Sequence, residues 1–429
     1  MVMGAALWPH RPARRHDGDA MPSLLLSELE RRKVLNAVLR SVSTKSIGPD
    51  VGVSALRSAH EANILRAQSP EEFEGAMNTM LRELGVSHAG FFHESSPRAA
   101  GRVAIAATFT KAQTTDGERW VFQDVHPGGA AHNAGARPGD VLLSVRGKDL
   151  VPPEATPFTL GERYEIVIRR PDGTTASPTL AVPQPKDKRQ PVVVPDQVVT
   201  ATKLPGGIGL LRVSMFPGVL GMHVARDMTR AVDDMACDRL IVDLRGNTGG
   251  GIGCLRLMSL LCDDRRGVGY SLGRDALKAG RTKDQLPVFD HIPASKWGVL
   301  PLFVKVARAG RSVAVFSEGL GTRRHHGRVA FLVNEHSASA AEMVAAFASE
   351  NRLATIVGNR TAGRVVAASA FKVGHGYRVA LPVAAYRTWA DTNLEGQGVA
   401  PDLPVPLDTT ALWAGEDAQL AASCRLLTR

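Results

Sequence analysis

The sequence predicts an α/β protein in which a helical module and a β-rich module precede an α/β core. Three patterns predict this class: two amphipathic helical runs between residues 24 and 84, short β-rich runs between residues 102 and 183, and alternating strand and helix patterns from residue 200 onward. Because 429 residues are too many for one ordinary core, more than one module is expected.

The N-terminal part is predicted to contain a leader and then helices. Residues 1–20 carry arginines but lack the apolar run of a secretory signal, so we expect a disordered leader and a cytoplasmic protein. A helical module is expected over residues 21–98, because "LLLSELERRKVLNAVLRSV" and "SPEEFEGAMNTMLRELG" both have apolar residues at helical spacing. The module ends in the segment that contains Ser87 and His88.

A β-rich domain is expected over residues 99–184. The runs "RWVFQDV", "DVLLSV" and "YEIVIRR" have strand composition and are separated by glycine- and proline-containing turns. Residues 185–199 are rich in proline and charge and predict a linker, which favours a separable domain. The α/β core is expected over residues 200–408, and a helical tail over residues 409–429.

Composition excludes several classes of function. The net charge is +10, but no basic stripe with interleaved aromatic residues is present, so nucleic-acid binding is not expected. An apolar span of about 18 residues, which a membrane helix needs, does not occur, and no membrane association is expected. The cysteines lack metal-binding spacing, so we expect no metal site and interpret them as buried free thiols. They are Cys237, Cys254, Cys262 and Cys424.

The stretch "LVNEHSASAAEMVAAF" places Ser339 where an apolar strand changes into an alanine-rich helix. At such a junction the serine hydroxyl is exposed, and the amide of Ala340 points out of the helix N-terminus, where it could stabilise a developing oxyanion. The alternative is a serine that only caps the helix. Position alone does not decide between a nucleophile and a cap.

A glycine-rich turn, "DLRGNTGGG" from Asp243 to Gly251, also follows an apolar strand. Glycine lacks a Cβ, so this turn allows a close approach of the backbone to a phosphate or an oxyanion. The turn lacks the Lys-Ser/Thr pair that follows the glycines of a nucleotide-binding loop. Nucleotide binding is therefore not expected.

Taken together, "LIVDLRGNTGGG", "FLVNEHSASAAEMVAAF" and "ATIVGNRTAGR" resemble the C-terminal processing (tail-specific) peptidases and the tricorn core protease. The resemblance extends roughly from Glu71 to Pro406. It implies a ClpP/crotonase-like α/β core, and "VHPGGAAHNAGARPGDVLLSVRGKDL" resembles an inserted PDZ domain. It also implies a serine endopeptidase without a cofactor, which acts on peptides or unfolded proteins through Ser339. A homo-oligomer is compatible with the sequence.

The general base departs from the tail-specific pattern. In the tail-specific peptidases the catalytic lysine lies in a "T-x-G-K" segment, whereas this chain has "TAGR", with Arg364 at the last position. Arginine stays protonated and cannot act as the base, so Arg364 is left to hold a loop or a substrate carboxylate. The tricorn-like "L-x-x-S-H" and "E-x-x-G-V-x-P-D" segments fall on Ser87-His88 and Glu395. This resemblance implies that His88 is the base, with Glu395 and Ser87 completing a catalytic tetrad.

The resemblance further implies an oxyanion hole built from the amide of Ala340 and that of either Gly249 or Gly250. Two other classes of protein remain open at this point. The first is a catalytically inactive pseudopeptidase that binds peptides, which the arginine at position 364 suggests. The second is a retinoid- or lipid-binding protein, because the core also resembles the interphotoreceptor retinoid-binding protein.

Overall fold

A computed structural model describes most of the chain as a mixed α/β fold with a helical N-terminal region and β-rich sheets, which confirms the predicted fold class. The described residues are 25–47, 52–94, 101–184, 193–218, 221–293, 304, 306–321, 325 and 327–429. The predicted leader and residues 185–192 of the predicted linker lie outside these ranges.

Three helices and a strand form the N-terminal region of the described chain. They are α1 (Glu28–Lys45), α2 (Val53–Arg66), α3 (Pro70–Arg82) and β1 (Gly90–His93). Ser27 and Glu30 form a reciprocal capping box that starts α1, and the Ser69 side chain accepts from the Glu72 amide to start α3. The apolar faces of these helices share one hydrophobic cluster with Phe91 and with Tyr377 of a later strand. The N-terminal region is therefore packed against the main body of the protein.

The β-rich module contains strands in the order β2-β3-β4-β6-β7, with β5 paired to β4 and β8 paired to β6. The strands are β2 (Ala107–Thr114), β3 (Gly117–Val125), β4 (Val141–Val145), β5 (Lys148–Asp149), β6 (Arg163–Arg169), β7 (Thr175–Ala176) and β8 (Thr179–Ala181). Two short helices accompany them, α4 (Gly101–Ala104) and α5 (Ala130–Asn133). Their alternating apolar side chains enclose a separate core around Phe122 and Ile166.

The central sheet of the main body has the strand order β19-β16-β15-β11-β10-β9. Its strands are β9 (Val199–Leu204), β10 (Ile208–Val213), β11 (Arg239–Asp243), β15 (Arg328–Val333), β16 (Thr355–Gly358) and β19 (Leu403–Pro404). Neighbouring strands are parallel except for the β9–β10 pair. The interior strands β11 and β15 read as continuous apolar runs because helices cover both faces.

A second sheet has the order β1-β18-β12-β14-β13, with β17 also paired to β18. Its later strands are β12 (Gly267–Gly273), β13 (Val288–Phe289), β14 (Val313–Phe316), β17 (Ala367–Gly374) and β18 (Tyr377–Thr388). The remaining helices are α6 (Met222–Met235), α7 (Cys254–Ser259), α8 (Arg274–Lys278), a 3₁₀ turn (Lys283–Gln285), α9 (Ala340–Glu350), α10 (Thr409–Trp413) and α11 (Ala418–Thr428). None of the described helices combines the length and the apolar character needed to cross a bilayer.

The main hydrophobic core lies where α6, α7 and α9 pack on one face of the central sheet, while α11 covers the other face. Within that sheet β11 and β15 are parallel neighbours, and Asp243 is in register with Leu332. Parallel neighbours end at the same edge of a sheet. The glycine-rich turn after β11 and the serine-containing loop after β15 are therefore brought side by side.

Candidate active site

Ser339 lies at the N-terminus of α9 with its hydroxyl unused. The residue is 2% exposed, and its backbone adopts φ 56° and ψ −116°. Within the described part of the chain its Oγ makes no hydrogen bond. A serine that served only as a cap would use that oxygen to accept from a helix amide. Ser339 and Glu342 still hold the positions of a capping box, so a cap and a nucleophile both remain open.

The carboxylate of Glu342 fixes the backbone around Ser339. It is completely buried, and its Oε2 accepts from the Ser339 amide at 3.0 Å and from the Arg364 amide at 2.9 Å. Its Oε1 accepts from the Thr361 hydroxyl and the Gly363 amide, each at 2.7 Å. Four donors satisfy this buried charge, so it can hold the start of α9 against the segment 361–364.

The glycine-rich turn approaches Ser339 at van der Waals distance. A Cβ added to Gly249 would lie 2.6 Å from the Ser339 Cβ and 2.8 Å from the Ala340 nitrogen, so only glycine fits there. The Gly249 amide donates to Asn247 Oδ1 at 2.8 Å. Among the described residues, the amides of Gly250 and Ala340 have no acceptor. Two unused donors therefore lie on residues directly next in sequence to this close approach of Gly249 and Ser339.

Ser87, His88 and Glu395 form a second group of predicted site residues. The Ser87 hydroxyl is 2.7 Å from His88 Nδ1, and the Ser87 amide donates to Glu395 Oε1 at 2.8 Å. The other carboxylate oxygen, Oε2, accepts from the Val365 amide at 2.8 Å. Ser87 thus touches both partners, but it contacts Glu395 through its backbone and not through its hydroxyl.

The segment 361–365 joins the two groups. Its amides at Gly363 and Arg364 bind the carboxylate that holds Ser339, and the next amide, of Val365, binds the carboxylate that holds Ser87. Among the described residues no hydrogen bond joins His88 to Ser339. The two groups therefore bind neighbouring amides of one segment, but His88 and Ser339 are not in direct contact.

His88 is half-buried and has a positive φ of 63°. Burial lowers the pKa of His88 below its ordinary value, and the nearby positive charge of Arg364 lowers it further, while Glu395 opposes this shift. A neutral imidazole is the form that accepts a proton. The environment therefore favours the basic form of His88 at neutral pH.

Sequence reasoning missed the polar residues that support the loop before Ser339. Asn334 Oδ1 accepts from the Gly246 amide at 3.1 Å, and the Ala338 amide donates to the Asn247 carbonyl at 2.9 Å. Asn334 Nδ2 donates to Asp124 of the β-rich module at 2.8 Å. No local pattern reveals these long-range pairs, whereas Glu342 was visible as the fourth residue of an S-x-x-E capping pattern.

A buried arginine anchors the glycine-rich turn. Arg245 bonds Asp243 and also reaches Asp417 at 2.7 Å, at the start of the last helix. Burial alone would raise the pKa of Asp243, but Arg245 and Arg212 hold that pKa well below its usual range. The Asp243 carboxylate is therefore charged throughout the neutral pH range. Through Arg245, the turn is linked both to the end of β11 and to the start of the last helix.

An apolar crevice adjoins the free amides and is lined by Gly250, Ile252, Leu255, Ala340 and Met343. Cys254 also lines it, and burial raises the pKa of its thiol to about 12, which leaves this thiol without nucleophilic character.

The interpretation of the cysteines as buried free thiols is correct for two of them. All four are free, and Cys254 and Cys262 are buried. Cys237 and Cys424 are only half-buried, because they lie at the margins of the core clusters.

Comparisons with known proteins relate this chain to peptidases. Residues 207–405 match the sequence model described as "Peptidase family S41". The chain is 27% identical over 321 residues to the chloroplastic C-terminal processing peptidase of Tetradesmus obliquus, covering 68% of this chain and 59% of that protein. It is 28% identical over 381 residues to putative tricorn protease homolog 2 of Streptomyces coelicolor, covering 81% of this chain and 28% of that protein.

Among solved structures, the photosystem II D1 C-terminal processing protease superposes with a TM-score of 0.53 at 20% sequence identity. That match covers 94% of this chain and 98% of the other. The chain spans about three fifths of the length of its Tetradesmus relative.

Proposed function

Since residues 207–405 are related to peptidase family S41, we propose that this chain is a serine endopeptidase that hydrolyses peptide bonds through an acyl-enzyme on Ser339. One observation supports it most: the hydroxyl of Ser339 makes no hydrogen bond to any described residue, and it lies beside the unused amides of Gly250 and Ala340. A nucleophile beside two aligned donors is the arrangement that acyl transfer requires.

In the proposed mechanism the Ser339 oxygen attacks the scissile carbonyl while His88 takes its proton. The amides of Gly250 and Ala340 donate to the oxyanion of the tetrahedral intermediate, and Gly249 makes room for this approach. His88 then gives the proton to the leaving amine, and water releases the acyl group in a second cycle. Ser87 orients the imidazole through Nδ1, and Glu395 holds Ser87 in place.

The missing contact between His88 and Ser339 is compatible with this mechanism. Catalytic hydrogen bonds are often long without substrate and shorten in the complex. We propose that bound substrate brings the two groups together through the segment 361–365, which already contacts both.

The substrates we propose are peptides or unfolded proteins with an apolar residue on the acyl side of the cut. The crevice beside Ala340 supports this preference because its lining is apolar. The β-rich module over residues 99–184, separated from the core by the linker at 185–199, is proposed to be a PDZ domain that binds extended peptide or a free C-terminus by strand addition. The Tetradesmus relative is named for C-terminal processing, which agrees with this proposal.

We further propose that the protein works in the cytoplasm. Its four cysteines are free thiols, which suits a reducing compartment. A homo-oligomer remains compatible with the proposal.

Labelling with a fluorophosphonate probe tests the function directly. We expect the full chain to be labelled at Ser339 and to cut an internally quenched peptide, and Ser339→Ala to abolish both while the thermal unfolding midpoint stays similar. Ser349→Ala, in the same helix and without a described side-chain hydrogen bond, is the matched control and should retain labelling. An unlabelled but folded wild-type protein that still binds peptide would instead indicate a pseudopeptidase.

A further inference from the structure

Arg364 occupies a fixed position between the two catalytic groups. Its amide and that of Ser339 donate to the same oxygen of Glu342, at 2.9 and 3.0 Å. The amide of the next residue, Val365, donates to Glu395, which also accepts from the Ser87 amide. The side chain at position 364 therefore starts within a few ångströms of the nucleophile's backbone, on the path toward His88.

The guanidinium of Arg364 has no partner in the described part of the chain, although its backbone is held firmly. The residue is exposed, and no ion pair or side-chain hydrogen bond involves it among those residues. The nearest carboxylates are occupied by backbone amides: Glu342 accepts four donors and Glu395 accepts two. An unpaired planar cation on an anchored backbone next to the proposed reacting centre is suited to bind a carboxylate in a bidentate manner.

We propose that Arg364 is a specificity-determining residue that binds a carboxylate of the substrate close to the scissile bond. This inference rests on the proposed peptidase function, because it assigns the preference of the same site. The carboxylate has two sources: an acidic side chain near the cut, or the free C-terminus when the cut releases a short C-terminal fragment. Both present the same group to the guanidinium.

The test uses one peptide scaffold, an internally quenched heptapeptide with leucine on the acyl side of the cut. It is made with glutamate or glutamine in each of the positions after leucine, and each version is made with a free C-terminal acid or a carboxamide. For wild type we expect kcat/KM to be roughly fivefold to tenfold higher for a peptide with the favoured carboxylate than for its neutral isostere, mainly through KM.

Arg364→Gln should reduce this ratio to about one, and Arg364→Glu should reverse it in favour of a peptide with lysine at that position. Arg360→Gln is the matched control, because Arg360 is also exposed and lies four residues earlier, and among the described residues its side chain bonds the Gln397 carbonyl alone. It should keep the wild-type ratio. A ratio that depends on glutamate against glutamine identifies a side-chain carboxylate as the ligand of Arg364. A ratio that depends on the free acid against the carboxamide identifies the C-terminus.

Binding of the same peptides to the Ser339→Ala protein, followed by fluorescence anisotropy, keeps this test separate from the test of catalysis. A protein that never cleaves but binds the acidic peptide several times more tightly, with the difference lost in Ser339→Ala/Arg364→Gln, would support the carboxylate site and reject the peptidase. Equal affinity for acid and isostere in the presence of Arg364, or a preference that survives Arg364→Gln, would overturn the inference.

Discussion

The backbone of Ser339 adopts a conformation that L-residues other than glycine rarely take. At φ 56° and ψ −116°, this backbone strain costs on the order of 1–3 kcal/mol and persists only where surrounding contacts hold it. The bond from its amide to buried Glu342 supplies such a contact. The local conformation that directs the hydroxyl away from its own helix is thus maintained by a carboxylate three residues later.

At the same scale, the environment of His88 predicts the pH dependence of peptide hydrolysis. Burial and Arg364 lower its pKa, so we expect the acidic limb of kcat/KM to lie below the ordinary histidine value of about 6.5. The proton acceptor must be neutral, so activity is lost as the pH falls through this lowered pKa. Arg364→Gln should move the limb upward, toward the ordinary value.

Initial rates between pH 4 and 9 on a neutral peptide, with chemistry shown to limit the rate, measure this limb. His88→Ala should lower kcat by several orders of magnitude, as loss of a member of a catalytic triad does. A rate independent of pH across the whole range would exclude a histidine base.

At the scale of elements, the edge of β3 and its following turn lie against the loop that leads to Ser339. Gln123 donates to Glu335 at 2.9 Å, and Asp124 accepts from Asn334 at 2.8 Å. A Cβ on Gly246 would lie 2.7 Å from His126 Nε2, so the β-rich module also touches the glycine-rich turn. The linker composition suggested a separable module, but these contacts connect the module to the glycine-rich turn and to the loop before Ser339.

Asp124→Ala tests whether this interface supports the site. It leaves the buried Asn334 amide without its acceptor, at a cost of roughly 1–3 kcal/mol. We expect kcat to fall on short and long peptides alike, because the loop before Ser339 loses a support. Asp149→Ala, which removes an exposed ion pair of the same sheet, is the control and should keep kcat. Should Asp124→Ala raise KM only for long substrates, the module would act on substrate choice alone.

At the scale of the whole molecule, the last helix is linked to the glycine-rich turn through a partly buried ion pair. Asp417 caps α11 through the Leu420 amide and also binds Arg245, which lies near the start of the glycine-rich turn. Arg245 in turn binds Asp243 at the end of β11. The C-terminal segment lies beyond the 207–405 family match, yet it reaches the glycine-rich turn, where we propose one of the oxyanion donors.

Asp417→Asn should therefore destabilise the fold by about 1–3 kcal/mol and lower kcat, because a buried arginine loses one of its two charged partners. Urea unfolding and steady-state kinetics measure the two effects. Asp408→Asn removes the same charge from the cap of α10, where the aspartate accepts from the Thr410 and Ala411 amides, and serves as the control. Equal losses in the two variants would mean that loss of a charge at a helix cap alone explains the effect.

The sequence predicted the site in part because some of its signals are local. Two apolar strands followed by a glycine-rich turn and by Ser339 imply adjacent strand ends, and the strand register agrees with this. The choice between Gly249 and Gly250 stayed open because it depends on which amide Asn247 occupies. The contacts of Asp124 and Asp417 join residues 210 and 172 positions apart, and no periodicity or spacing rule encodes such pairs.

The segment 361–365 separates the roles of main chain and side chain at position 364. Its amides are used by Glu342 and Glu395, whereas its arginine side chain makes no hydrogen bond or ion pair with any described residue. Replacing an exposed side chain without contacts usually changes stability by less than about 0.5 kcal/mol. The side chain at position 364 can therefore change in evolution without compensating substitutions elsewhere in the fold. Related proteins could differ in substrate preference at this position while keeping the same fold.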